Sequence, residues 1–269
     1  MMKIKRDLIN VFYIIIPALI CLLIFSLPLN WQEILVLKFD NLNLWSWYTH
    51  TFVHQDFAHL TGNIIGYLVG MIATYFILSK KDKDKLPLIL LLIIVIVPLI
   101  LFTSIILART VGLFPLNLIN HRGFSGISSA SIGVLTFSLV RRLEIRLKPK
   151  GLNEKLALSY FILLPALAFM IYNLSKMLSI IAGGIWIITM INLVVIMRKK
   201  SLIDKEIRLK ISDFIVLGIG LFILLMEVTT LIPSQISSST STTNIFSHFI
   251  GYLGGFFITM LIFIKSKSL

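Results

Sequence analysis

Three short segments carry side chains suited to acyl transfer. The first runs from His54 through His59 to Asn63, the second from Gly123 through Ser125 and Gly126 to Ala130 and Gly133, and the third from His248 through Gly251 to Gly255. A serine hydroxyl is a weak nucleophile until a neighbouring base takes its proton. Ser125 and His248 supply those two parts. A tetrahedral intermediate also needs donors already aimed at its developing oxyanion, and the His59 ring, the Asn63 amide and backbone N–H groups are of that kind. On helices, each segment gathers its residues on one face. His59 and Asn63 stand four apart, Ser125, Ser129 and Gly133 repeat at four, and His248, Gly251 and Gly255 follow at three and then four. Taken singly, each segment reads equally well as helix packing, because small residues and hydrogen-bonding side chains are the ordinary glue of membrane helices. The Gly-x-Ser-x-Gly elbow of soluble hydrolases is not present, since Ile127 stands where its last glycine belongs.

The elements that must position these residues are membrane spans. Of the 269 residues, 57% are hydrophobic and 14% charged, against roughly 25% charged in an average soluble domain. Residues 57–79, 86–108, 156–175 and 177–197 contain no Asp, Glu, Lys or Arg, and each is about the ~20 residues that cross a bilayer as a helix. The pattern predicts an all-α polytopic membrane protein, one domain over 1–269, with spans near 9–27, 57–79, 86–107, 123–140, 156–174, 177–197, 211–232 and 245–264. Lys3, Lys5 and Arg6 precede the first apolar run as in a signal peptide, but no small-x-small cleavage site follows, so the run reads as a retained span.

Charge sets the orientation. With the N-terminus in the cytoplasm, 21 of the 25 Lys and Arg fall on the inner side, and only Lys38, Arg109, Arg122 and Lys176 lie outside. This is the positive-inside pattern, and it puts both termini in the cytoplasm. The net charge of +13 is thereby a topology signal. No basic, aromatic-interleaved soluble segment exists to hold a nucleic acid. The outer segment 28–56, with Trp31, Trp45, Trp47 and Tyr48, suits the membrane–water interface, and the outer segment 233–244 is rich in Ser and Thr. Cys21, the single cysteine, makes no internal disulfide and reads as a small buried apolar residue. In this arrangement Ser125, His248, His59 and Asn63 all sit near the outer ends of spans that run outside to inside, and His50, His54 and His121 lie in or beside the same layer.

These residues resemble the rhomboid intramembrane serine proteases. The family's His, a second His five residues on and Asn four further match His54, His59 and Asn63. Its Gly-x-Ser-Gly motif with downstream Ala and Gly matches Gly123, Ser125, Gly126, Ala130 and Gly133. Its last-helix motif, His-x-x-Gly-x-x-x-Gly, matches His248, Gly251 and Gly255. The resemblance implies a Ser–His dyad. Ser125 would be the nucleophile and His248 the general base and then acid, with the Ser125 backbone N–H, His59 and Asn63 as oxyanion hole and His54 in support. Gly126, Gly133, Gly251 and Gly255 would pack helices. Transmembrane proteins in the lipid bilayer would be the substrates, with no metal or other cofactor, in a membrane that is most simply a prokaryotic cell membrane. Against a six-helix rhomboid core, about eight spans imply one extra hairpin, two of the spans within 156–232. The Trp-Arg pair common in the family's first outer loop is absent from 28–56, and Ser129 stands where an aromatic often supports the catalytic histidine. Glu227, the one acid deep in an apolar run, either lines the substrate route or snorkels outward. Two other functions fit the same chain less completely. A rhomboid-like pseudoprotease that binds membrane clients would ordinarily lack Ser125 or His248. A transporter would show inverted halves and polar groups at the midplane.

Overall fold

The computed structural model describes residues 2–39, 41, 43–110, 120–147 and 245–265, with isolated helical positions between 181 and 224. The spans expected at 156–174, 177–197 and 211–232, Glu227, the segment 233–244 and the identity of the extra hairpin lie outside the described residues or touch them only at those isolated positions. Elsewhere the chain is mostly helical. In chain order the elements are α1 (Met2–Phe25), α2 (Leu29–Leu35), β1 (Leu37–Lys38), α3 (Ser46–Thr49), a 3-10 turn (His50–Phe52), α4 (Phe57–Ile77), a second 3-10 turn (Asp82–Lys85), α5 (Leu86–Thr110), β2 (Asn120–His121), α6 (Ser125–Leu147) and α7 (Ile245–Lys265). Contacts divide the chain into two compact units. One comprises Met1–Tyr75, Lys80–Val134 and Phe246–Leu269, the other Phe76–Ser79 and Leu135–Ile245. Every candidate site residue belongs to the first. In the second, Gly220 packs against Leu139 and Ile77, and Arg141 pairs with Glu144 at 3.1 Å.

Among the described residues four helices are long and apolar enough to cross a membrane: Arg6–Phe25, Phe57–Ile77, Asp82–Leu107 and Ser247–Ile264. The stretch expected as a span at 123–140 is not among them. Arg141 and Arg142 follow soon after α6 begins at Ser125, which shortens its charge-free stretch, and every residue from 126 to 140 is buried. A helix enclosed on all sides is freed from the requirement for apolar side chains that lipid imposes. By contrast α1 is two-faced. Asn10, Ile14, Ala18 and Cys21 are buried on one side, and Leu8, Phe12, Leu19 and Leu23 are exposed on the other.

Helix directions follow from pairs of contacts. Phe25 packs on Phe57 with ring centroids 6.2 Å apart, and the Tyr75 hydroxyl donates to Asp7 Oδ1 at 2.8 Å, so α1 runs antiparallel to α4. Helices α4 and α6 run parallel, since Tyr67 packs on Phe124 at 5.3 Å and Gly70 faces Ser131, one turn further along α4 and two along α6. At the end remote from Ser125, Arg6 reaches Asp84 at 3.2 Å, and the Lys83 ammonium lies 3.7 Å above the Tyr75 ring.

Pro98 inside α5 cannot donate to the carbonyl four residues back, at Ile94. That acceptor is satisfied from outside the helix, because the Tyr48 hydroxyl donates to Ile94 O at 3.0 Å. A membrane helix tolerates proline where a neighbour supplies the missing donor. The sequence reading gave 28–56 no regular structure; here it forms α2, β1, α3 and a 3-10 turn. Gln32 Nε2 turns back to donate to Phe25 O at 3.0 Å and Leu27 O at 2.8 Å, satisfying carbonyls at the end of α1. Strand β1 pairs antiparallel with β2, Leu37 opposite His121 and Lys38 opposite Asn120. Glu33 clamps the ribbon, bonding Lys38 at 2.8 Å and Arg122 at 3.2 Å. The Lys38 hydrogen bond, ahead of the charge of Arg122, holds the Glu33 carboxyl below its ordinary range.

Candidate functional site

Ser125 opens α6, where first-turn N–H groups have no partner within the helix. The chain enters through Gly123, whose φ of +134° favours glycine. A Cβ at Gly123 would also lie 3.2 Å from Cε1 of His59. The Gly123 N–H donates to the His50 carbonyl at 3.0 Å. The approach to Ser125 is therefore fixed by two points, the Glu33–Arg122 pair and the 3-10 turn.

His54 is the centre of the polar layer. It is 2% exposed, and its Nε2 accepts from the Asn63 amide at 3.2 Å and from the Phe124 backbone N–H at 3.3 Å. Both donors share one lone pair, so Nε2 carries no proton and Nδ1 does, on the side of the Phe52 carbonyl. The His59 ring meets the His54 ring edge-on at 5.3 Å. Asp56 Oδ1 accepts the His59 backbone N–H at 2.7 Å, capping α4 and setting where His59 projects. His59 is exposed, Ser125 half-buried, and Asn63 and His248 buried.

Burial lowers the pKa of His54 to about 4, helped by the nearby His59 ring and opposed by the Phe52 carbonyl and Asp56. Burial likewise lowers His50 to about 4, opposed by the carbonyls of Ser46 and Trp47. An unfolded histidine titrates near 6.5. Between those values the unfolded chain binds more protons, so the stabilisation is complete above about pH 6.5 and is lost as pH falls towards 4. Protonation would also make Nε2 a donor and release Asn63 and Phe124. The thermal midpoint of purified protein is expected to drop between pH 6.5 and 4. In His54→Gln the drop should shrink by about half, since His50 supplies the rest. An unchanged slope would show that His54 is not the titrating group.

Helix α7 reaches the site through glycine. A Cβ on Gly251 would overlap the Gly126 carbonyl, one on Gly255 the Ala130 carbonyl, and one on Gly133 the Tyr252 carbonyl. The two backbones therefore run parallel and touching. Ser125 is one residue before that contact on α6, and His248 is one turn before it on α7. Ser125, His248, His59, Asn63, His54 and Gly123 are thus gathered at one end of three helices, with Gly126, Gly133, Gly251 and Gly255 in the seam below. Ser129 turns its hydroxyl onto the Ser125 carbonyl at 2.8 Å. Among the described residues no group of three His, Cys, Asp or Glu side chains could hold a metal ion.

Three contributors escaped the sequence reading. His50 holds Gly123 by its carbonyl, which leaves no trace in residue type. Phe124 supplies a backbone donor. Asp56 was legible as an N-cap immediately before an apolar run. Comparison of the chain with protein-family models, curated proteins and solved structures returns no match.

Proposed function

We propose that this chain is an intramembrane serine endopeptidase of the rhomboid type, hydrolysing peptide bonds in or near the transmembrane segments of other membrane proteins. The observation that carries this reading is the backbone contact of α6 with α7 at Gly126 and Gly251, which brings Ser125 and His248 to one end of two parallel helices. In this mechanism His248 takes the Ser125 proton as Oγ attacks the substrate carbonyl, then protonates the leaving amine. Donors for the oxyanion are the free N–H groups of the first turn of α6, the second N–H of the Asn63 amide and the His59 ring. Water then hydrolyses the acyl-enzyme. The same reading takes the chain as an eight-span protein with cytoplasmic termini and a rhomboid core plus one hairpin, in a prokaryotic cell membrane. Ser129, bonded within its own helix, stands where the family often carries an aromatic beside the catalytic histidine.

The test is a fluorophosphonate probe on the purified protein, with cleavage of a reporter transmembrane substrate in liposomes. The adduct is expected on Ser125 alone, together with cleavage. Absence of both would favour a client-binding pseudoprotease.

A further inference from the structure

Four polar side chains deep in the first unit have no protein partner, although each residue is wholly enclosed: Asn10 on α1 (both amide atoms), Tyr67 and Thr74 on α4, and Ser128 on α6. Leaving such groups unpaired in an apolar interior is costly, and each one calls for an explanation.

Their placement is ordered. Tyr67, Gly70 and Thr74 stand at i, i+3 and i+7, on one face of α4. That face meets α6 where a Cβ on Gly70 would lie 2.6 Å from Ser131 Oγ. Ser128 is one turn from Ser131 in the direction in which Tyr67 is one turn from Gly70. Thr74 lies a turn the other way. Asn10 is a turn along α1 from Asp7, which bonds Tyr75 at 2.8 Å, so in the antiparallel pair it falls between the levels of Gly70 and Thr74.

For two of these groups the lack of a partner departs from the pattern in the rest of the chain. Serine and threonine in helices commonly bond back to the carbonyl three or four residues earlier. Ser129, Ser131, Thr103 and Thr259 all do so here. Thr74 and Ser128 do not, and their hydroxyls are left for another partner.

We propose that the seam of α1, α4 and α6 is a binding site for a file of ordered water molecules, held by Asn10, Thr74, Ser128 and Tyr67. The chemistry of the lining selects the ligand. Three hydroxyls and one amide offer both donors and acceptors and carry no charge. Asp7, a turn from Asn10, accepts the Tyr75 hydroxyl at 2.8 Å and lies 3.9 Å from Arg6 Nε. The close approach of Gly70 to Ser131 excludes anything much larger than water. Water joins two to four such groups at once, as buried water does in protein interiors. The file would link α1 to the helix pair beneath Asn63, and the inference does not depend on the proposed chemistry at Ser125.

The test is radiolytic hydroxyl-radical labelling of the whole protein in detergent, read by mass spectrometry. Met71 and Tyr67, both fully enclosed, are expected to label several-fold more than Tyr252, which is equally enclosed on α7. Labelling no greater than that of Tyr252 would overturn the proposal. Thermal unfolding of Thr74→Val and Asn10→Leu gives a second reading. A lowered midpoint in each, with a double variant no worse than the poorer single one, is expected of groups sharing one water. A raised midpoint would mean a dry site and overturn it, as would a wild-type midpoint that rises in sodium over an organic cation, which would assign the site to an ion.

Discussion

Ser125→Ala and His248→Ala should each lower the rate of reporter cleavage by about 10⁴-fold or more, and the double variant should lose no more than the worse single one. The argument rests on the proposed dyad. If the histidine acts only through the serine, removing either part removes the same step, and the losses cannot multiply. Expression and thermal midpoint serve as controls. Ser125 is half-buried, and truncating its hydroxyl leaves the backbone of α6 untouched, so Ser125→Ala should unfold like the parent. Liposome cleavage assays with single and double variants measure all three rates. Undiminished cleavage by Ser125→Ala would remove the mechanism, and multiplying losses would remove the dyad while leaving both residues important.

Gly255→Ala should destabilise the protein by about 3 kcal/mol or more, while Gly254→Ala, its neighbour, should cost nothing. At Gly255 the added carbon would overlap the Ala130 carbonyl, a backbone group in the buried stretch 126–140 of α6 that has nowhere to retreat. At Gly254 it would meet only Val97 Cγ2, at an ordinary 3.5 Å. Alanine is also the better helix former by up to about 1 kcal/mol. Thermal unfolding in detergent separates the pair. Equal tolerance at both positions would mean that α6 and α7 are not in backbone contact. The same substitution should reduce cleavage, because moving α7 outward moves His248 away from Ser125.

How far the sequence could be read depended on the range of the forces involved. The spans around α1, α4, α5 and α7 were legible because lipid dictates composition residue by residue. Helix α6 was legible as a helix with a packing face, but serines and glycines in a row identify close packing without saying how many sides are packed. The segment 28–56 showed an interfacial composition but not its regular elements. Its elements depend on partners far along the chain, as Glu33 depends on Arg122, 89 residues away. Ser125, His248, His59 and Asn63 could be named from spacing. The place of His54 as acceptor for both Asn63 and the Phe124 N–H could not, since one of its two partners is a backbone group.

The burial of α6 has a consequence for how the protein is made. A helix with a short charge-free stretch rich in serine and glycine gains less by entering the bilayer alone than α1 or α5 does. Its resting place is lined by α4, which precedes it, and by α7, which is synthesised long after it. Until α7 emerges and docks its glycines on Gly126 and Ala130, α6 is a segment without its full surroundings, and Ser125 has no histidine from α7 beside it. Order of synthesis then acts as a safeguard. On the proposed function, the nascent chain would carry the nucleophile but not its base, and hydrolytic competence would arrive only with the assembled bundle.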